Sequence, residues 1–165
     1  MSVTDFQELY RAYLEDVAAA ERNRRPGEGL FGIGKGPAED PCHDRFVEKL
    51  EAMLNLFAAS KPDSTEVKPI LDYIFSVPPE SRALQSAYWM LLAVHTLTLP
   101  LIPFLNSADA VILLETYEKT YPRRERFPAQ KSVLSALRNF IEEQYQSQKK
   151  RVHLKNADID SKMEM

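Results

Sequence analysis

The sequence predicts an all-α fold: a single compact helical bundle of about six helices, with a central apolar helix and a Gly-rich loop between helices 1 and 2. Three observations carry this prediction. Apolar residues recur at helical spacing in six successive stretches. No alternation of period two persists, and neither Asn-Gly nor Asp-Gly, the hairpin dipeptides, occurs. All five glycines fall between Gly27 and Gly36, which leaves every apolar stripe free of them. A chain of 165 residues favours one domain and can bury a core without disulfides or a structural metal.

The elements follow in order. Phe6, Leu9, Tyr10, Tyr13, Leu14 and Val17 form the first stripe, with Ser2 or Thr4 available as N-cap. That helix runs to about Arg24 and is stopped by Pro26-Gly27. After the glycine segment, Asp40-Pro41 restarts a helix, with Asp40 as N-cap and Pro41 at its first position. Phe46, Val47, Leu50, Met53, Leu54 and Phe57 face its core side, and Lys61-Pro62 ends it.

Asp63 and Glu66 have the spacing of a capping box for helix 3, although Pro69 allows a later start near Lys68. Val67, Ile70, Leu71, Ile74 and Phe75 make its stripe, and Val77-Pro78-Pro79 closes it. Helix 4, from about Pro79 to Leu99, is apolar on all sides and is expected at the centre of the bundle. It is nearly long enough to cross a membrane. Pro100, Pro103 and the scattered polar residues Gln85, Ser86, His95, Thr96 and Thr98 argue against that use.

Ser107 is expected to cap helix 5, with Ala110, Leu114, Tyr117 and Tyr121 facing inward. Val133, Leu134, Leu137, Phe140 and Ile141 stripe helix 6, which is expected to end near Gln148. Residues 1–150 are therefore read as the bundle domain, and 151–165, polar and mixed in charge, as a frayed tail.

Composition narrows the function. The formal net charge of −3 supplies no general field for nucleic acid or anionic lipid. One cysteine, Cys42, excludes an internal disulfide and a cysteine-rich zinc framework, and suits a reducing, cytoplasmic setting. The first residues lack the basic and apolar regions of a secretory leader.

The glycine segment superficially matches two nucleotide motifs. Gly27 to Gly32 fits GxGxxG, and Gly29 to Lys35 fits GxxxxGK. Neither has its context: a helix precedes the segment instead of a strand, and Gly36 stands where a phosphate loop needs Ser or Thr. A more general anion site survives. Arg24, Arg25 and Lys35 supply charge, and Gly32 and Gly34 allow close backbone approach. The start of helix 2 presents free N–H groups. Leu30, Phe31 and Ile33 add apolar anchors to the same segment. The plainer account is that basic residues offset the helix-1 dipole and the glycines form a surface loop.

Two other chemistries share this region. Cys42 at a helix N-terminus is a candidate nucleophile, with His43 or His95 as base. Adjacent helical residues do not face each other, so His95 is the better-placed base if the fold brings it near. A metal could use Cys42, His43 and His95 with Asp44 or Glu48, although consecutive Cys and His lack chelating spacing and no HExxH occurs. Arg123-Arg124-Glu125-Arg126, flanked by Tyr121 and Phe127, reads as a solvated basic loop or a contact for nucleic acid or an acidic partner.

The expected function is therefore a binding or regulatory helical protein. It would engage a partner protein or small anionic ligand through the Gly-rich loop and the N-terminus of helix 2. A small helical enzyme and a metal-binding protein are the alternatives. The sequence implies no particular cofactor or oligomeric state.

Overall fold

A computed structural model describes the backbone of residues 1–23 and 41–163 and the side chains of those residues through Val152. Among the described residues there is no strand, and the chain forms an all-α bundle. The helices are α1 (Val3–Arg22), α2 (Pro41–Ala59), α3 (Ser64–Ser76), α4 (Gln85–Ala93), α5 (Ser107–Thr120) and α6 (Pro128–Met163). Short 3-10 segments cover Pro79–Ala83 and Arg123–Glu125, and a longer one, Val94–Phe104, continues α4.

α1 and α2 run antiparallel, joined by aromatic packing. Tyr10 meets Phe46 edge-on at 5.2 Å between ring centres, and Tyr13 stacks on Phe46 at 4.0 Å. The expected stripe of α1 is buried at Phe6, Tyr10, Tyr13 and Val17, with Leu9 and Leu14 half-buried at its margin. Ser2 is the N-cap, its backbone N–H donating to the Asp5 carboxylate at 2.6 Å. Asp40, the expected cap of α2, lies outside the described residues.

α3 begins at Ser64, so the later start that Pro69 allowed is not used. The capping box outweighs the proline. Asp63 accepts N–H bonds from Thr65 at 2.8 Å and Glu66 at 3.1 Å, and the Glu66 carboxylate accepts the Asp63 N–H at 3.0 Å. The Thr65 hydroxyl, which donates to the same carboxylate at 2.6 Å, and these N–H groups hold the Asp63 carboxyl below its ordinary pKa. Pro69 sits inside α3, where it removes one backbone donor without ending the helix.

Ser64 then ties the start of α3 to the start of α5. Its hydroxyl donates to Asp109 at 2.6 Å and accepts the Asn106 N–H at 2.9 Å. Asn106, not Ser107, is the N-cap of α5, because its side chain reaches the Asp109 N–H at 2.8 Å. On α5, Leu113 is buried and Leu114 is only half-buried, one position away from the expected stripe.

The expected fourth helix divides into a 3-10 turn, α4 and the long 3-10 run. Pro100 and Pro103 lack the N–H groups that α-helix continuation requires, and β-branched Val94, Thr96 and Thr98 lower its propensity. Thr98 donates back to the His95 carbonyl at 2.7 Å. The run packs against α2, α3 and α6, which puts this apolar segment at the centre of the bundle. Gln85–Phe104 is long and apolar enough to cross a membrane, with mean hydropathy 1.4, and 44% of that window is buried inside the bundle. α6 continues to Met163, beyond the expected end near Gln148.

Candidate functional site

His43 lies in the first turn of α2 and is 2% exposed. Its Nδ1 sits 2.6 Å from the Tyr13 hydroxyl of α1, and its ring packs edge-on against Tyr13. Cys42 beside it is 4% exposed. Both neighbours are therefore buried in the bundle, His43 in the α1–α2 seam.

His95 occupies a different seam. It lies at the start of the long 3-10 run, fully buried, among the rings of Phe75, Tyr117 and Tyr121. Its Nδ1 is 2.9 Å from the Tyr117 hydroxyl and 3.4 Å from the Gln130 side-chain nitrogen. An N–H donor facing Nδ1 makes that nitrogen the acceptor, which assigns the ring proton to Nε2. Nε2 makes no hydrogen bond of good geometry. Burial pushes the His95 pKa down to about 3, with a backbone contact to Ile74 pulling weakly the other way.

The Ile74 contact has a cause in the sequence. The carbonyls of Ile74 and Phe75 would normally accept from the residues four positions on, and those are Pro78 and Pro79, which have no N–H. Tyr121 supplies the missing donor to the Phe75 carbonyl through a short hydrogen bond. His95 faces the Ile74 carbonyl. The double proline thus creates two buried acceptors, and α5 and the 3-10 run bring polar rings to them. Burial also raises the pKa of Tyr117 and of Tyr121, so both hydroxyls stay protonated and able to donate.

Gln130 completes this network and is absent from the sequence-level candidates. It is fully buried, donating to the Leu92 carbonyl at 2.9 Å. A signal was present: Gln130 stands at the spacing of Val133, Leu134 and Leu137, a polar residue on an apolar stripe.

His43 and His95 are each committed to a different tyrosine in a different seam. Among the described residues, no group of three His, Cys, Asp or Glu side chains could hold a metal ion, so Cys42, His43 and His95 do not form such a centre. Arg24, Arg25, Gly32, Gly34 and Lys35 lie outside the described residues.

Among the described residues, the outer surface includes a groove and a basic cavity. A groove of about 500 Å³ runs along α1 past Arg11, Leu14 and Glu15 to Tyr73 and Glu80. A basic cavity of about 280 Å³ lies between the Arg123–Glu125 turn and α6, lined by Arg123, Arg126, Lys131 and Arg138 with Leu134, Ser135 and Asn139. Comparison with protein-family models, curated proteins and solved structures returns no match to this chain.

Proposed function

We propose that this chain is a cytoplasmic binding or regulatory protein that engages a partner protein or a small anionic ligand. The binding region would be the end of the bundle where α1 gives way to the Gly-rich segment and the start of α2. One observation carries the choice of binding over catalysis. Both described histidines are sunk in the core and hydrogen-bonded to separate tyrosines. A base must reach its nucleophile and a substrate, and burial of Cys42, His43 and His95 counts against a Cys42 enzyme.

The antiparallel register supports the location. Tyr13 opposite His43 and Tyr10 near Phe46 bring the last turns of α1, including Arg22, to the same end as the first turn of α2. There the positive dipole end of α2 would add to the basic charge that follows α1. Arg24, Arg25 and Lys35 would add charge, and Gly32 and Gly34 would allow backbone contact. The lone free cysteine suits a reducing compartment.

The test is a titration of the full chain with inorganic phosphate, followed through the backbone amide resonances of Cys42 and His43. Saturable shifts are expected in the wild type, and loss of most of that response in Arg25→Ala with Lys35→Ala. Amides that stay still throughout, or respond equally in the double variant, would defeat the reading for small anions. The protein-partner form is checked with the same double variant: unchanged affinity for a partner, once one is isolated, removes it.

A further inference from the structure

We infer that the cavity between the Arg123–Glu125 turn and α6 is a second binding site, taking a phosphate or diphosphate group carried on a small molecule. This site rests on residues other than those of the glycine segment.

Charge is the first argument. The chain as a whole carries −3, yet four cationic side chains, Arg123, Arg126, Lys131 and Arg138, line one cavity that no carboxylate lines. Glu118 pairs with Arg138 from outside the lining. Arg123, Arg126 and Lys131 form no ion pair among the described residues. Gathering like charges is unfavourable, and a bound multivalent anion would reverse its sign.

The helix supplies a second, independent argument. A helix N-terminus favours acidic residues, because its exposed N–H groups carry positive partial charge. α6 has no acidic residue in its first turn, and its sequence reaches Glu142 before the first carboxylate appears. Lys131 instead places a cation near this positive end, and Arg138 follows on the same face. The α6 wall of the cavity, from Lys131 to Asn139, therefore carries two cations and no carboxylate.

Geometry is the third. Lys131, Leu134, Ser135, Arg138 and Asn139 recur at helical spacing and present one face. Arg126 is held by its Nε–H, which donates to the Tyr121 carbonyl at 2.9 Å, leaving its two terminal amino groups for a ligand. Arg138 is held by Glu118. Two guanidiniums are thus oriented before any ligand arrives, which lowers the entropic cost of binding. Guanidinium forks match phosphoryl oxygens, and Ser135 and Asn139 add neutral donors. A volume of about 280 Å³ is several times the ~30 Å³ share of a water and accommodates a diphosphate group.

The experiment is calorimetric titration of the full chain with inorganic pyrophosphate at fixed ionic strength, since screening alters any exposed charge interaction. A saturable 1:1 site is expected. Arg123→Ala with Lys131→Ala should weaken it by about tenfold or more, because two charge-assisted contacts are lost. Neither side chain donates a hydrogen bond to another described residue, so the fold should be undisturbed, which far-UV circular dichroism verifies.

Arg124→Ala removes the same charge from the same turn but from outside the cavity, and it should change affinity by no more than about twofold. Equal losses in Arg124→Ala and Arg123→Ala would reduce the site to diffuse charge and overturn the proposal. So would the lack of saturable heat, or binding of single-stranded RNA without binding of pyrophosphate. If Arg25→Ala with Lys35→Ala abolishes pyrophosphate binding and the Arg123, Lys131 pair does not, the anion belongs to the glycine segment. This proposal then fails and the loop reading stands.

Discussion

Burial sets the chemistry of His95, and pH reveals it. The folded chain keeps this imidazole neutral with its pKa pushed down to about 3, whereas an unfolded histidine takes a proton near 6.5. The unfolded state therefore binds more protons between those values, and the stabilisation from neutral His95 is full above about 6.5. It declines as pH falls through the window toward 3, by up to about 1.4 kcal/mol for each pH unit. Urea unfolding measured from pH 7 to pH 4 should show this slope in the wild type. His95→Gln, which keeps a polar side chain and removes the titration, should flatten it by close to one proton. An identical slope in the variant would show that His95 is not the sensitive group. The sequence marks His95 as a polar residue on an apolar segment. It did not reveal Tyr117, Gln130 or the Ile74 carbonyl, because those partners lie on three other helices.

At the level of single elements, local sequence explains most boundaries. The Asp63–Glu66 box starts α3 as its spacing requires, and Pro100 with Pro103 lies inside the 3-10 run that replaces the expected α-helix from Val94 onward. The end of α2 carries a locally unfavourable residue. Lys61 follows it with φ of 52°, a conformation that costs any residue bearing a Cβ, and its N–H bonds the Ala58 carbonyl at 3.1 Å. Lys61 is exposed, so its side chain contributes little packing to lose. Lys61→Gly should raise the unfolding free energy by about 0.5–1 kcal/mol in urea melts. A decrease would mean that the side chain contributes more than its backbone costs. Helix 5 shows the limit of stripe reading: Leu113 and Leu114 are adjacent leucines, and only packing against α3 and α6 selects Leu113 for the core.

For the molecule as a whole, one continuous core runs from Phe6 on α1 to Phe140 on α6 and includes Cys42. A thiol in such a core reacts only when the structure around it opens. Alkylation of native Cys42 by iodoacetamide should be at least about tenfold slower than in the urea-unfolded chain, and should accelerate as urea approaches the transition. Rapid modification of the native chain, with an apparent pKa well below the ordinary thiol value of about 8.5, would instead revive the nucleophile reading. The same scale decides the basic cavity. Arg123 and Arg126 come from a turn and Lys131 and Arg138 from a helix, and only the packing of that turn on α6 makes them line one space.

The sequence by itself determined the class of fold, the number of helices, the start of α3 and the apolar centre. These depend on periodicity and capping, which operate within a few residues along one chain segment. The tertiary structure alone decided that His43 and His95 serve separate seams, that Tyr121 and His95 face carbonyls left open by Pro78 and Pro79, and that four cations surround one cavity. Those outcomes depend on how each helix is rotated and shifted against its neighbours. Such rotations are set by side-chain interdigitation across the whole core, which no local spacing encodes.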